Sequence, residues 1–330
     1  MNLDNQTILI TGGTGTFGKA FTEYLLTQTK IKKVIIYSRD EFKQYHLKKE
    51  LTEKHAKLTD KVRFFIGDVR DYERLVLALK GVDYVVHAAA MKHVTACEYN
   101  PFEAIKTNVI GAQNLIRAAL DHHVKKVVAL STDKAVNPIN LYGGTKLVSD
   151  KLFISANAYS GHDGTRFSVV RYGNVAGSRG SVIPFFKGLI KSGSKKLPIT
   201  DKRMTRFWIT IDQGIELVLK ALDESQGGET YISKIPSFRV VDLAKALDST
   251  IELEEVGIRE GEKLHELMIS KDDSRYTYEW DDYYVIYPHF DWWTSSRINQ
   301  GGKKVTDGFK YSSDKNDDFL TVESLKEKLG

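Results

Sequence analysis

The chain has 330 residues, which is enough for one large or two interleaved domains with a sizeable core. Its formal net charge of +5 is small against 48 basic and 43 acidic residues, and the basic residues form no stripe, so nucleic-acid binding is not indicated. Cys97 is the only cysteine, which excludes an internal disulfide framework and fits a buried, inert thiol. Because no window approaches the roughly 20 apolar residues of a membrane span and no metal-ligand spacing occurs, we expect a soluble, cytoplasmic protein without a metal.

The first predicted element is a strand at residues 7–11, which is followed at once by a glycine-rich turn and a helix. Gly13, Gly15 and Gly18 fit the spacing G-x-G-x-x-G, while Gly12, Gly15 and Gly18 fit G-x-x-G-x-x-G. Either spacing lets backbone N–H groups approach a pyrophosphate at the helix N-terminus. Since the glycines directly follow a first strand, the turn is predicted to bind a dinucleotide.

A second predicted strand, at residues 33–37, ends in polar residues that bear on the choice of cofactor. Ser38, Arg39 and Asp40 follow it, about twenty residues after the glycines. An acidic residue at this place binds the ribose diol of NAD, whereas an arginine accommodates the extra phosphate of NADP. Arg39 therefore favours NADP, and Asp40 leaves the use of NAD open.

Further apolar runs predict strands at residues 62–66, 84–87, 126–130 and 167–172, with helical segments between them. One of these helices is predicted to begin at Pro101 and to carry a single core face to Ala119. The alternation is typical of an α/β fold with a Rossmann-like, doubly wound parallel sheet. We expect a dinucleotide-binding domain at residues 1–180 and a smaller, interleaved substrate-binding region with a tail at residues 181–330, some of whose segments return to the first domain.

The stretch from Ser131 to Lys146 is predicted to be the catalytic centre. Tyr142 and Lys146 stand four residues apart on a predicted helix and therefore share one face. An ammonium one turn away favours the phenolate, so the pKa of Tyr142 is expected to fall and its oxygen to accept a hydroxyl proton. Such a pair also arises by chance on many helices. Here, however, Thr132 and the residues next to it stand at the C-terminal end of a buried strand, where ligands bind in open α/β sheets.

Two later segments are less specific. Residues 173–180 combine glycine, asparagine and arginine at another strand end, which favours a second binding surface over an ordinary glycine loop. The tail at residues 276–293 is dense in aromatic side chains interleaved with acidic ones. A lid, a packing strap and a subunit contact are all consistent with that composition, and packing is the default expectation.

Taken together, these residues give the chain a resemblance to the extended short-chain dehydrogenase/reductase family, over nearly its whole length. Within that family it is similar to the inverting UDP-N-acetylglucosamine 4,6-dehydratases of pseudaminic acid synthesis. The stretches that carry the resemblance are TGGTGTFGK, YSRDE, FFIGDVRD, HAAAMKHV, STDKA, LYGGTK, VVRYGNVAGSRGSV, ITDKRMTRFWIT and GIREGEKLHE.

The resemblance implies NADP as cofactor, UDP-N-acetylglucosamine as substrate and a homo-oligomer, either a dimer or a hexamer. The residues expected at the cofactor are Gly12, Thr14, Gly15, Thr16, Phe17, Gly18, Ser38, Arg39, Asp40, Lys43, Asp68, Val69, Ala88, Tyr142 and Lys146. Those expected around the UDP-sugar are Lys92, Asn174, Arg179, Thr205, Arg206, Arg259 and Glu262. Arginine forks match phosphate geometry, and Asn174 supplies a paired donor and acceptor.

The same resemblance assigns catalysis to Thr132, Asp133, Lys134, Tyr142 and Lys146. Retaining sugar-nucleotide dehydratases usually follow the threonine with Asp-Glu, whereas this chain has Asp133-Lys134. Lys134 is expected to be the base at sugar carbon 5, with a pKa lowered by burial, and Asp133 the acid at the carbon 6 hydroxyl, with a raised pKa. An ion pair that caps the helix is the alternative interpretation of these two residues.

Two other functions remain open at this stage. A UDP-sugar 4-epimerase would need the same cofactor and the same tyrosine but no acid and base for the elimination of water. A cofactor-binding regulatory protein without chemistry would not need Thr132, Tyr142 and Lys146, and a test for turnover distinguishes it.

Overall fold

The structure is a computed structural model that describes residues 2–161, 164–178, 180–299 and 301–329. Its strands are β1 (Thr7–Thr11), β2 (Lys33–Ser38), β3 (Val62–Ile66), β4 (Tyr84–His87), β5 (Lys126–Thr132), β6 (Arg166–Tyr172), β7 (Lys196–Ile199), β8 (Thr205–Phe207), β9 (Thr230–Ser233), β10 (Ser237–Arg239), β11 (Glu252–Glu255), β12 (Leu267–Ile269), β13 (Thr277–Glu279), β14 (Tyr283–Ile286), β15 (Lys303–Lys304) and β16 (Tyr311–Ser312). Its α-helices are α1 (Thr16–Gln28), α2 (Glu41–His55), α3 (Tyr72–Leu79), α4 (Val94–Tyr99), α5 (Pro101–Ile105), α6 (Gly111–Asp121), α7 (Leu141–Ser155), α8 (Val182–Lys191), α9 (Ile211–Glu224), α10 (Val240–Leu247) and α11 (Val322–Leu329). None of the helices in these described residues is long and apolar enough to cross a membrane.

The large sheet has the strand order β15-β13-β14-β9-β6-β5-β4-β1-β2-β3. The strands from β3 to β9 in that order run parallel, whereas β14, β13 and β15 extend the far edge with antiparallel pairings. The chain order reverses between β1 and β4, which is the position where doubly wound sheets form a crevice for ligands. The predicted α/β, Rossmann-like fold is confirmed.

Helices cover both faces of this sheet, and the side chains of β1 show how. Ile8 and Ile10 point into one core layer, which Phe21 of α1 completes. Leu9 points into the opposite layer, where it belongs to one cluster with Leu115 of α6. Because both faces of the strand are buried, its sequence is continuously apolar rather than alternating.

The helix predicted from Pro101 to Ala119 is interrupted, so that the expectation of one regular helix is wrong. A π turn at Lys106–Ile110 separates α5 from α6. Within it, the side chain of Asn108 donates hydrogen bonds to Met91 O and to Thr145 Oγ1, both at 2.9 Å, and accepts one from Met91 N. The turn thus ties the loop after β4 to helix α7, and apolar periodicity alone does not report such a contact.

The C-terminal half forms three small sheets and also returns to the large one. The pairs β8–β10 and β12–β16 are antiparallel, and β7–β11 is parallel. Strand β9 pairs with β6, and the hairpin β13–β14 of the aromatic tail pairs with β9. Trp280 stacks on Tyr283 with ring centroids 4.9 Å apart. The packing role expected of the tail is what its contacts show, and the domain boundary after residue 180 stays a prediction.

Candidate active site

A cavity of about 1090 Å³ lies at the carboxyl edge of the parallel strands. Its wall combines the loops that follow β1, β2, β4, β5 and β6 with residues 259–263 from the C-terminal half. The parallel strands bring loops that are far apart in sequence to one edge, so polar residues of both halves of the chain face one volume.

The glycine turn after β1 is built for close approach of a ligand to the backbone. Gly12 has a φ of +65°, and a Cβ there would lie 2.8 Å from Ala88 O. A Cβ on Gly18 would lie 2.5 Å from Gly13 Cα, so only glycine lets α1 pack this tightly on the turn. The N-cap of α1 is Gly15, which has no side chain to satisfy the first N–H groups of the helix. The turn therefore fits a pyrophosphate at the helix N-terminus.

Of the residues that follow β2, one caps the next helix and another lines the cavity. Asp40 is the N-cap of α2: it accepts a hydrogen bond from Lys43 N at 2.9 Å and pairs with Lys43 Nζ at 2.7 Å. The guanidinium of Arg39 is 56% exposed on the cavity wall and lies 3.7 Å from Asp68. Asp40 is thus engaged by the helix start, whereas most of the Arg39 side chain is open to a ligand.

Tyr142 and Lys146 both line the cavity from the first turns of α7, as their spacing predicted. Asn140 caps this helix by accepting a hydrogen bond from Gly143 N at 2.7 Å. Burial raises the pKa of Tyr142 to about 12, and the Lys134 ammonium and the Thr132 hydroxyl oppose that rise. The expectation of a lowered pKa is therefore wrong, because the sequence does not report how deeply the phenol is buried.

A second layer of polar groups lies behind Lys146, which is 3% exposed. Asp150, one turn further along α7, accepts a hydrogen bond from Ser131 Oγ at 2.5 Å and lies 3.8 Å from Arg171. Burial lowers the pKa of Lys146, and the Asp150 carboxylate opposes this. On the other side, burial lowers the pKa of His87 to about 3, with a further lowering by Lys146. Lys146 thus interacts electrostatically with the Asp150 carboxylate and with a neutral imidazole.

Lys134 forms the centre of a buried ionic cluster. Its Nζ lies 3.1 Å from Asp133 Oδ1 and 3.1 Å from Glu266 Oε1. Burial by itself lowers the pKa of Lys134, but the two carboxylates outweigh burial and hold the pKa well above its ordinary value. The lowered pKa expected for a base at this position is therefore wrong, because the sequence did not show how closely Asp133 and Glu266 approach the ammonium.

Asp133 is fully buried at 0% exposure and does not line the cavity, unlike the other four residues predicted to be catalytic. Its Oδ1 accepts a hydrogen bond from Thr132 Oγ1 at 2.9 Å, and its Oδ2 has no hydrogen-bond partner among the described residues. Burial, followed by the charge of Glu266, raises the pKa of Asp133, which is the expected direction. The direct contact with substrate that its predicted role implied is absent, and Thr132 lies between Asp133 and the cavity.

The predicted substrate residues separate into two groups. Lys92, Asn174, Arg206, Arg259 and Glu262 all line the cavity. Thr205 does not: its hydroxyl is buried and bonds to His265 Nδ1 at 2.8 Å and to Ser313 Oγ at 2.7 Å, so it positions β8 rather than facing a ligand. Arg179 lies outside the described residues.

Arg206 joins the cavity wall to the ionic cluster. Its Nη2 lies 3.3 Å from Glu262 Oε1, and its Nε lies 3.6 Å from Glu266 Oε1. Lys263, one of the basic residues expected in the substrate region, lines the cavity, and so does Glu266, which was not singled out from the sequence. The one signal for Glu266 was the stretch GIREGEKLHE, in which it stands four residues after the predicted Glu262.

Comparisons with known proteins agree with this geometry. Residues 8–288 match the family described as polysaccharide biosynthesis protein. The chain is 54% identical over 328 residues to the UDP-N-acetylglucosamine 4,6-dehydratase (inverting) of Campylobacter jejuni subsp. jejuni serotype O:23/36 (strain 81-176), covering 98% of this chain and 96% of that one. It is 41% identical over 333 residues to the UDP-glucose 4-epimerase of Rickettsia bellii (strain RML369-C), covering 98% and 95%.

Two solved structures show the same fold. Pen from Bacillus thuringiensis superposes with a TM-score of 0.90 at 40% identity, covering 100% of this chain and 98% of that one. DesIV, a dTDP-glucose 4,6-dehydratase from Streptomyces venezuelae, superposes with a TM-score of 0.67 at 24% identity, covering 78% and 87%. The chain therefore belongs to the polysaccharide biosynthesis protein family and, as its motifs predicted, to the extended short-chain dehydrogenases/reductases.

Proposed function

We propose that the chain is an NADP-dependent UDP-N-acetylglucosamine 4,6-dehydratase that inverts sugar carbon 5. Its product would be UDP-2-acetamido-2,6-dideoxy-β-L-arabino-hexos-4-ulose, the first intermediate of pseudaminic acid synthesis. The observation that carries this proposal is that Tyr142 and Lys134 line one cavity, with the buried Asp133 paired to Lys134 behind its wall, in a chain 54% identical to a relative named for this activity. An elimination of water needs both an acid and a base near the sugar, and this cluster holds one candidate for each.

The cavity fits a nicotinamide dinucleotide, and three solved structures of the same fold contain NAD. The glycine turn would hold the pyrophosphate, and Arg39 with Lys43 would face the ribose phosphate that distinguishes NADP. Asp40, which is engaged as the cap of α2, would not compete for that ribose. When bound, the nicotinamide would supply the acceptor for a hydride from sugar carbon 4 and the donor of a hydride to carbon 6.

The UDP-sugar would occupy the part of the cavity that the C-terminal half contributes. Arg259 presents a guanidinium group that matches a diphosphate, and Arg206 adds positive charge to the cavity wall, although its Nη1 donates to Thr205 O at 2.7 Å. Asn174 Oδ1 lies 3.5 Å from Lys134 Nζ. Lys92 and Glu262 complete the polar lining. This arrangement would put the sugar beside Lys134 and Tyr142.

The chemistry follows from the positions of these side chains. Tyr142, whose pKa the Lys134 ammonium and the Thr132 hydroxyl lower against burial, would remove the proton of the carbon 4 hydroxyl while the hydride of carbon 4 leaves. The ketone that results makes the hydrogen on carbon 5 acidic. Lys134 would then remove that hydrogen as a base. Asp133 would supply the proton for the departing carbon 6 hydroxyl through Thr132, because Thr132 contacts both Asp133 and the cavity. Reprotonation of carbon 5 from the opposite face would give the inverted configuration.

The second candidate is a UDP-sugar 4-epimerase, which the 41% identical relative from Rickettsia bellii favours. An epimerase shares the cofactor and the tyrosine but needs no group that removes a hydrogen from carbon 5. The buried Lys134 with two carboxylates would then have no chemical use.

Mass spectrometry of the product separates the two candidates. The chain is incubated with UDP-N-acetylglucosamine and NADP, and the molecular mass of the sugar nucleotide product is measured. A dehydratase gives a product lighter by one water, whereas an epimerase gives an isomer of unchanged mass. A product of unchanged mass would refute the proposed function.

A further inference from the structure

The proposed reaction needs Lys134 to lose its proton, and Glu266 is placed to accept that proton. An ammonium 3.1 Å from the Glu266 carboxylate keeps its proton at neutral pH, yet a base must lose it before it can act. We propose that Glu266 is the internal proton acceptor for Lys134: it takes a proton from the ammonium and so frees the amine that removes the hydrogen from sugar carbon 5. This inference rests on the proposed function.

The position of Glu266 suits it to this task. It precedes β12, lines the cavity and is 2% exposed, and its Oε1 lies 3.1 Å from Lys134 Nζ. Its backbone is fixed, because Glu266 N donates to Ser313 Oγ and Ser313 N donates to Glu266 O, both at 2.9 Å. The carboxylate is therefore held at hydrogen-bond distance from the amine by contacts that do not depend on a ligand.

One oxygen of the Glu266 carboxyl group is left without a hydrogen bond. Its Oε2 is buried and has no hydrogen-bond partner among the described residues. A buried carboxylate oxygen without a donor is costly for an ion and far less so for a neutral acid. Asp133, the other carboxyl at Lys134, cannot take this role, because it must be protonated to act as the acid of the elimination.

The charges around Glu266 make the transfer depend on substrate. Lys134 and Asp133 face it from the turn after β5, Arg206 from β8 and Lys263 from the segment before β12. Burial would raise the pKa of Glu266, but Lys134 and Arg206 hold it low in the ligand-free chain. A diphosphate bound to Arg206 would offset that positive charge, so that the pKa of Glu266 would rise when substrate is present.

The step balances without any further reactant. An N–H bond of the Lys134 ammonium breaks, its electron pair stays on Nζ, and an O–H bond forms on Glu266. The pair goes from two opposite charges to two neutral groups. Nζ then forms a bond to the hydrogen of carbon 5, while the C5–H electron pair becomes the C5–C6 double bond. The C6–O bond breaks with its electron pair on oxygen, which leaves as water by taking the proton that Asp133 supplies through Thr132. Glu266 keeps the extra proton until it passes to water after the product leaves.

The test is the variant Glu266→Gln, which keeps the shape of the side chain and removes its ability to accept the proton. Single-turnover mixtures with UDP-N-acetylglucosamine and NADP are quenched and analysed by mass spectrometry. We expect the 4-keto sugar that retains its carbon 6 hydroxyl to accumulate, because elimination slows by about a hundredfold or more at neutral pH. The rate should recover as pH rises, because Lys134 then loses its proton to solvent.

Glu262→Gln is the matched control, since Glu262 pairs with Arg206 and, among the described residues, forms no ion pair with Lys134. We expect it to raise KM and to leave the pH dependence of elimination unchanged. If Glu266→Gln eliminates water at the normal rate with a normal pH profile, Glu266 is not the acceptor.

If the variant does not fold, the pH dependence of elimination in the wild-type protein tests the inference instead. With an internal acceptor, the single-turnover rate of elimination should be nearly flat between about pH 6 and 9. A rise of roughly tenfold per pH unit would show that Lys134 loses its proton to solvent and would overturn the inference. Failure of the proposed function looks different, because the wild-type chain would then release no dehydrated sugar at any pH.

Discussion

Removal of the Arg39 side chain should change which cofactor the chain prefers. In the variant Arg39→Ala, the cavity loses the guanidinium that lies at the end of β2, on the side where the NADP ribose phosphate is proposed to bind. A hydrogen bond to a charged group contributes about 1.5–3 kcal/mol. Because the Arg39 side chain is 56% exposed and Lys43 supplies a second cation nearby, we take the lower end of that range. NADP affinity should therefore fall about tenfold.

Isothermal titration calorimetry with NADP and with NAD measures this prediction. The affinity for NAD should stay nearly constant, because NAD lacks the phosphate that Arg39 would contact. Arg63→Ala is the matched control: the Arg63 guanidinium bonds to Asp60 O at 2.7 Å and does not line the cavity. If Arg39→Ala keeps the ratio of the two affinities, the cofactor preference has been assigned to the wrong residue.

Three further perturbations test the site and its support. Tyr142→Phe should lower turnover by about a hundred- to ten-thousand-fold in steady-state assays while leaving NADP binding unchanged in calorimetry, because it removes only the oxygen that accepts the proton. Gly18→Ala should lower the thermal denaturation midpoint and weaken cofactor binding, since its Cβ would lie 2.5 Å from a backbone atom that cannot move aside. The pKa of His87 is about 3 when folded, below its unfolded value of about 6.5, so the unfolded chain binds the extra proton and stability falls as pH drops through this window. The cost is about 1.4 kcal/mol per pH unit in urea titrations, and His87→Asn should flatten that slope; an unchanged slope would mean that other groups cause the acid destabilisation.

The strands of the first half could be predicted closely from the sequence. The predicted bounds of β1, β3 and β4 agree with the structure, because strands buried on both faces are short apolar runs that end at polar or small residues. The ends of β2 and β5 lie further on than predicted. Ser38 pairs with Ile66, and Thr132 pairs with Tyr172. The strand pairing therefore continues into polar residues whose composition is typical of loops.

The grouping of the site could also be predicted in large part. Residues at the carboxyl ends of parallel strands must meet at one edge, and so Arg39, Tyr142 and Asn174 line one cavity. The sequence could not predict the contacts between residues that are distant in the chain. Glu266 meets Lys134 across more than a hundred residues, and together Asp133 and Glu266 reversed the expected direction of the Lys134 pKa. The burial of Tyr142 likewise depends on the packed fold rather than on its distance from Lys146.

The most direct test of the proposed reaction is incubation with UDP-N-acetylglucosamine and NADP in deuterated water, followed by NMR of the first product. The proposed reaction predicts a 6-deoxy-4-keto sugar that carries deuterium at carbon 5 and shows the ring couplings of the inverted configuration. Retained configuration at carbon 5 would contradict the role given to Lys134. A sugar that keeps its carbon 6 hydroxyl and is changed only at carbon 4 would contradict the dehydratase and identify the chain as an epimerase.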